Sequence, residues 1–349
     1  MLVYYSLVME LLSFTPGNGI MTTYAPKNMT NSEFQPTREG KDLFPVKKAM
    51  VLHNPEAGEG DTSERALIKS IESAGFNCSY SSTKQFRWEN IETEGGIDFL
   101  VLAGGDGTVR KIADELLGRK MIEKKLPIGL LPFGTANNIA TTLGLCKESL
   151  DIIQGWHHGT VKKFDVGIIE GLEEPAFFLE SFGYGLFPKL MQEMQKQKKN
   201  DLQDPKEKLQ AALEILHDLI QSTPAKKCKI QINGNDYSGD FILIEVMNIR
   251  SIGPNLNLAP DADPGDGVFD VVLITELQRA ALSEYVHKKT KGIEVAFDFP
   301  ILKGRDLRIF WDGKHVHVDD EYHKIEEPVE IKIELREGLL EFLVPADES

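Results

Sequence analysis

Basic residues are in short supply. The 349-residue chain sets 39 Lys and Arg against 54 Asp and Glu, a net charge of -15 at neutral pH. General nucleic-acid binding needs a basic footprint, so no nucleic-acid partner is expected. An acidic chain is not drawn to an anionic membrane by its overall field, and any membrane contact has to be local. Cysteine is scarce too. Cys78, Cys146 and Cys228 are odd in number and lack metal-ligand spacing, which reads as reduced thiols and a cytoplasmic setting. No apolar run is long enough to span a bilayer. Met1 to Phe14 comes nearest, but it contains Glu10, has no basic residues before its apolar part, and is too short. Residues 15 to 42 are rich in Thr, Asn, Pro and Gly. Residues 1–45 therefore read as a disordered or mis-started extension, with a peripheral anchor as the other reading.

What the chain does have is a strand–glycine turn–helix pattern at Phe99 to Asp114, FLVLAGGDGTVRKIAD. Phe99 to Ala103 form an apolar run that suits a strand covered on both faces. Gly104, Gly105, Asp106 and Gly107 break it, and Thr108 leads into helical spacing at Ile112, Ala113, Leu116 and Leu117. Glycines let another molecule approach the backbone, and a helix start presents free amides and a positive dipole end, which suits a phosphate. A carboxylate inside such a cradle is counterproductive unless it handles a proton or a metal ion, so Asp106 is a candidate catalytic residue. The bland alternative is an ordinary turn in which Asp caps the helix.

Two more strand ends resemble it. Leu126 to Gly144, LPIGLLPFGTANNIATTLG, repeats strand, turn and helix, with Gly134 and Thr135 in the turn. Upstream, the strand Ala49 to His53 ends in Asn54-Pro55-Glu56-Ala57-Gly58-Glu59-Gly60. Ligands of open α/β sheets bind outside the carboxyl ends of the strands, so three such loops converging on one nucleotide is a specific expectation. Thr62 to Ala74 is expected as a helix, Phe76 to Ser81 as a strand and Leu150 to Trp156 as a short helix.

From Val161 the rhythm changes to long alternating stretches. Asp165–Glu170, Ala176–Phe182, Lys229–Ile232, Phe241–Asn248, Val268–Ile274, Leu307–Trp311 and Val329–Leu335 read as strands, and Leu186–Gln197 and Leu209–Ile220 as helices. The expectation is a mainly antiparallel β-sandwich after an α/β domain. Ala259 to Leu273, APDADPGDGVFDVVL, alternates carboxylates with glycine, as a hard-cation loop does, although no glutamate completes an EF-hand. A polar hairpin turn is the alternative. His315 and His317 share one face of a strand, but no ligand cluster accompanies them.

Taken in order, HNPEAGEG, GGDGTVRKIADELL, PIGLLPFGTANNIATTLG and APDADPGDGVFDVVLI resemble the diacylglycerol kinase catalytic-domain family, which includes bacterial soluble lipid kinases and is related to sphingosine and ceramide kinases. The GGDGT turn is shared with NAD kinases and phosphofructokinases. The resemblance covers about Lys47 to Pro345. It implies a nucleotide-binding α/β domain over residues 46–158 plus 337–346, to which the strand Leu339 to Pro345 returns, and a β-rich lipid-binding domain over 159–336. It implies ATP and Mg²⁺, and transfer of the γ-phosphate to a lipid hydroxyl. Asn54, Thr83, Gly104, Gly105, Asp106, Gly107, Thr108, Gly134 and Thr135 would hold the nucleotide. Asp263, Asp266 and the Val268 carbonyl would hold a structural Mg²⁺. Glu321, in Asp319-Asp320-Glu321, matches the glutamate proposed as the base of bacterial members, although the family's glycine before it is lost. Lipid specificity would come from an apolar surface such as Phe182, Tyr184, Leu186 and Phe187. Contact with the membrane would be transient and peripheral, the setting lipid metabolism and phospholipid biosynthesis, and a homodimer is left open.

Several motifs depart from the family. Arg110 and Lys111 stand where Asn and Glu are usual, Asn138 replaces an acid in GTANN, and IGPNLNL replaces a glycine-rich run. SFGYGLFPKL lacks the aspartate with which sphingosine kinases read an amine, which points to a neutral acceptor such as diacylglycerol. NAD kinase and a non-catalytic nucleotide- or lipid-binding protein are the rival readings; GTANN and PGDGVFD weigh against the former, and the altered motifs make the latter plausible.

Overall fold

The computed structural model describes residues 47–57, 63–85, 96–117, 126–174, 176–197 and 204–345. The N-terminal extension, the end of the HNPEAGEG loop and part of the basic segment after Gln197 lie outside the described residues.

Parallel strands build the first half: β1 (Lys48–His53), β2 (Asn77–Ser82), β3 (Phe99–Gly104) and β4 (Ile128–Pro132), in the order β2-β1-β3-β4. Every residue of β3 is buried, which is what its unbroken apolar run requires. Among the described residues four helices accompany these strands: α1 (Glu64–Ser73), α2 (Asp106–Leu117), α3 (Asn138–Thr142) and α4 (Ser149–Gly155). Ser63 caps α1 by accepting from the Ala66 amide at 3.3 Å, and Leu67 and Ile71, four apart, face the core.

The second half is mainly antiparallel, as its alternation requires. It runs through β5 (Thr160–Glu170), β6 (Ala176–Phe178), β7 (Ser181–Gly185), α5 (Leu186–Gln197), α6 (Pro205–Ser222), β8 (Lys226–Ile232), β9 (Asn235–Asp236), β10 (Gly239–Met247), β11 (Ser251–Ile252), β12 (Leu256–Asn257), β13 (Phe269–Thr275), α7 (Arg279–Thr290), β14 (Ile301–Gly304), β15 (Asp306–Trp311), β16 (His315–Val318), β17 (Glu321–Lys324) and β18 (Glu330–Val344). β10 pairs with β7, β8 and β13, and β16 pairs with β7 and β17, all antiparallel. Helices α5, α6 and α7 close a second apolar cluster through Leu190, Leu213, Leu216, Leu282 and Val286.

The halves share one sheet. β18 pairs antiparallel with β5 along most of its length, and its last residues pair parallel with β4, Phe342 opposite Ile128 and Leu343 opposite Gly129. The two strands expected at Val329–Leu335 and Leu339–Pro345 are thus one. A register shift between Arg336 and Leu340 bends it, and Gly338 there has φ +55°. Asp165 of β5 holds the bend, accepting from the Gly338 amide at 2.7 Å and the Gly267 amide at 2.9 Å. Conversely, the single strand expected over Ala176–Phe182 is two, because the amides of Leu179, Glu180 and Ser181 turn to a carboxylate, that of Asp319, at 3.1, 2.7 and 3.1 Å.

Candidate functional site

The carboxyl ends of β1, β3 and β4 come together. Gly105, just after β3, and Gly134, just after β4, pack backbone on backbone. A Cβ on Gly105 would lie 2.8 Å from the Gly134 Cα, and one on Gly134 would lie 2.5 Å from the Gly105 Cα. Only glycine at both positions permits this approach. Asn137, in the left-handed region at φ 50°, braces the second loop: its Oδ1 accepts from the Gly134 amide at 2.9 Å and its Nδ2 donates to the Gly134 carbonyl at 2.6 Å. Asn54, at the end of β1, donates through Nδ2 to Thr108 Oγ1 at 3.3 Å. Thr83 follows β2, and its amide donates to the His53 carbonyl at 2.9 Å. Asn54, Gly104, Gly105, Asp106, Gly107, Thr108, Gly134 and Thr135 therefore meet in one place, with Thr83 one strand further along the same edge.

Asp106 opens α2 and points across to α3. Its Oδ2 accepts from the Asn138 amide at 2.8 Å and its Oδ1 from the Ile139 amide at 3.1 Å. The carboxylate therefore caps the facing helix and joins the two glycine loops. Burial pushes its pKa up, the two amides oppose this, and the nearby Asp319 and Asp320 charges add to the rise.

The second half contributes the turn between β16 and β17. Asp319, at φ 52°, is buried, takes three amides of the 179–181 segment, and forms an ion pair with Arg110 of α2. Arg110 also donates to the Phe177 carbonyl at 2.9 Å, lies over the Phe177 ring, and approaches Glu321 at 3.7 Å. Burial works against the Arg110 charge, but Asp319 and Glu321 outweigh it and raise its pKa. Asp320 stands over the glycine turn, its Oδ2 3.9 Å from where a Cβ on Gly107 would lie. Glu321 is further out and half-exposed, between Arg110 and His323. Arg110, Glu321 and Phe177 form one wall of a cleft of about 970 Å³.

Behind the turn, His317 is fully buried and paired with Glu245 at 2.9 Å. Burial lowers the His317 pKa and Glu245 more than restores it, a net rise; burial also raises Glu245 against the pull of His317. His315 stacks on Tyr322, so the two histidines serve separate contacts.

Asp263, Asp266 and Val268 lie on one turn. Asp263 Oδ1 meets Lys162 Nζ at 2.9 Å and accepts from the Gly265 amide at 3.0 Å. Asp266 Oδ1 accepts from the Val268 amide at 3.1 Å, and Lys303 approaches its Oδ2 at 3.8 Å. Among the described residues no group of three or more His, Cys, Asp or Glu is placed to hold a metal ion. The donors for a hard cation are present, but Lys162 and Lys303 already meet their charge, and an ion there would have to displace Lys162.

One expectation is corrected. Phe182, Tyr184, Leu186 and Phe187 are at most 2% exposed and belong to the core, so they cannot form a lipid-facing surface. Alternation turns Phe182 and Tyr184 inward from β7, and Leu186 and Phe187, the first residues of α5, pack into the second apolar cluster with α6. The apolar pocket is elsewhere, about 450 Å³ between α5 and α6, with Leu190, Met191, Met194 and Leu209 on its wall and Thr135 and Ala136 of the glycine loop at its edge. Among the described residues no helix is long and apolar enough to cross a membrane.

Two family descriptions match consecutive parts of the chain: the diacylglycerol kinase catalytic domain over residues 48–169, and the YegS C-terminal NAD kinase beta sandwich-like domain over residues 191–341. The chain belongs to the diacylglycerol kinase catalytic-domain family. It is accordingly a lipid kinase, an ATP-dependent kinase with an alcohol acceptor. A diacylglycerol kinase of Bacillus subtilis is 24% identical over 71% of this chain and 79% of its own length. A probable lipid kinase YegS-like of Enterobacter is 30% identical over 52% of this chain and 57% of its own length. The crystal structure of a diacylglycerol kinase from Bacillus anthracis covers 86% of this chain and 98% of its own, with a TM-score of 0.61 and 19% identity, a likeness of fold.

Asp319, Asp320, Glu180 and Asn137 were not singled out from the sequence. The Asp319-Asp320-Glu321 triplet was visible, but not that Asp319 turns inward to three amides while Asp320 faces Gly107. Arg110 was visible as a departure from the family, and its partners became known only from the structure.

Proposed function

We propose that this kinase transfers the γ-phosphate of ATP to the hydroxyl of a neutral lipid, diacylglycerol, to give phosphatidic acid. The observation that carries the reading is the apolar pocket that opens beside Thr135 and Ala136 of the glycine loop. An acyl chain fits such a wall, whereas a dinucleotide has no use for it. Exposed Lys206 and Lys208 line the same pocket and suit a phospholipid surface. Residues 181–190 contain no carboxylate to bind an amine, which favours a neutral acceptor.

In this reading Asn54, Thr83, Gly104–Thr108, Gly134 and Thr135 cradle the phosphates through backbone amides and short side chains. Mg²⁺ bound with the nucleotide would supply neutralisation of the phosphate charge. Asp320 or Glu321 takes the proton of the acceptor hydroxyl as its oxygen bonds to the γ-phosphorus and the bond to the β-phosphate oxygen breaks. Asp106 keeps the two loops in register and adds a carboxylate beside the reacting phosphate. The enzyme acts in the cytoplasm and touches the membrane transiently at the pocket mouth.

The test is transfer of labelled γ-phosphate from ATP with Mg²⁺ to diacylglycerol, ceramide, sphingosine or NAD, for wild type, Asp106→Asn, Asp320→Asn and Glu321→Gln. Labelled phosphatidic acid that is lost in at least one of the last two variants supports the reading. An asparagine at 106 presents an amide to two amide donors, so loss there alone would mark a structural role. Labelled NADP as the product would overturn the reading, and so would ATP binding with no transfer to any acceptor.

A further inference from the structure

Glu180 lies between the two groups of acids, is buried, and has no task in the scheme above. Its side chain accepts from Asn138 Nδ2 at 3.1 Å. The backbone amide of the same Asn138 donates to Asp106 at 2.8 Å, and the next amide, of Ile139, donates to Asp106 at 3.1 Å. On its other side the Glu180 amide donates to Asp319 at 2.7 Å, and Asp319 pairs with Arg110, which reaches Glu321. One residue thus touches the GTANN loop through its side chain and the Asp319–Glu321 side through its backbone. The Glu180 carbonyl also accepts from the Asn248 amide at 2.9 Å, so the backbone that carries it is pinned.

A carboxyl in this place is costly unless it does something. Burial pushes its pKa well up, and Asp106, Asp319 and Asp320 push it further, against the Asn138 hydrogen bond.

Resting on the kinase reading, we propose that Glu180 is a positioning residue for phosphoryl transfer: it holds the Asn138 side chain, and thereby the two amides that fix the Asp106 carboxylate against the nucleotide loop. Glu180 touches no phosphate itself. It acts through Asn138, and a small displacement of a reacting group costs about 100-fold in rate.

The experiment compares Glu180→Ala, Glu180→Gln, Asn138→Ala and the double alanine variant in the full chain. The readouts are kcat, the KM for ATP, and hydrogen exchange of the amides of residues 138 and 139. Glutamine keeps the accepting oxygen, so Glu180→Gln should retain kcat within about threefold. Glu180→Ala should lose about 10- to 100-fold in kcat with the KM for ATP within about twofold, and both amides should exchange at least about tenfold faster. Asn138→Ala should lose a similar factor, and the double variant should lose no more than the worse single, because both remove one contact. Losses that multiply in the double variant would overturn the proposal. So would a Glu180→Ala enzyme with wild-type kcat, or unchanged exchange at 138 and 139. If Glu180→Ala does not fold, Asn138→Ala against Glu180→Gln reads the same contact. A wild type that phosphorylates no lipid would sink the kinase reading, while amide exchange would still decide whether Glu180 holds the Asp106 turn.

Discussion

Replacing Arg110 by methionine tests whether the two halves are held together at the site by charge. Asp319 has a side chain 1% exposed and Arg110 one 15% exposed. Removing one partner of a buried ion pair leaves the other charge unpaired, which costs about 3–5 kcal/mol. Asp319 would keep its three main-chain donors from Leu179, Glu180 and Ser181, so the lower end, about 3 kcal/mol, is expected here. At about 2–4 °C per kcal/mol, Tm should fall by about 6–12 °C. Denaturant unfolding and calorimetry read the loss. The decisive comparison is the double variant, Arg110→Met with Asp319→Asn. Neutralising the stranded carboxylate should recover at least half of the lost stability, because the penalty belongs to the unpaired charge and not to the missing methylenes. A loss under about 1 kcal/mol for Arg110→Met would place the pair in the weak class of exposed salt bridges and refute the reasoning, as would a double variant no more stable than the single. Activity should fall as well, since Arg110 also reaches Glu321.

Gly105→Ala should separate the two loops, because its Cβ would meet the Gly134 backbone at 2.8 Å; ATP binding by titration calorimetry should weaken at least about tenfold, with a stability loss of about 1–3 kcal/mol. Met191→Glu puts a charge on the wall of the apolar pocket and should raise the KM for diacylglycerol about tenfold or more while leaving the KM for ATP unchanged, and equal changes in both would argue against an acyl-chain site. The His317 pKa is raised in the folded protein, so its contribution to stability is complete below the unfolded value of about 6.5 and is lost as pH rises through the folded value. Denaturant midpoints should therefore fall from pH 6 to pH 9, and His317→Asn should flatten that slope.

Much of the first half could be read from local pattern, because a parallel strand, its glycine turn and the helix after it follow one another in the chain. Phe99–Gly104 and Asp106–Leu117 needed no distant information. That the glycine loops end on one edge of the sheet was legible for the same reason. Contacts between segments far apart were not. The break at Leu179–Ser181 is made by Asp319, about 140 residues later, and nothing in AFFLESFGYG announces it. In the triplet Asp319-Asp320-Glu321 only Glu321 carried an expected role, and the structure sorts the three into an inward-facing anchor, a residue over Gly107 and one at the cleft. Helix α7 was missed because RAALSEYVHKKT mixes charge on every face, and its helix is recognised by the Leu282, Tyr285 and Val286 side chains that it buries. The four aromatic and aliphatic residues expected at a lipid surface show the converse error. Apolar residues beside a site are more often the floor beneath it than its lining.

The course of β18 has a consequence for how the protein is made. Synthesis proceeds from the amino end, so the edge of β4 exists long before Phe342 and Leu343 that cover it. Until then the nascent nucleotide-binding half exposes an unpaired row of amides and carbonyls, a template for pairing with another chain. The contacts that complete the first sheet span more than 200 positions, which slows folding. Rapid synthesis in concentrated cells is therefore the condition under which this chain would be most exposed to aggregation and most dependent on chaperones.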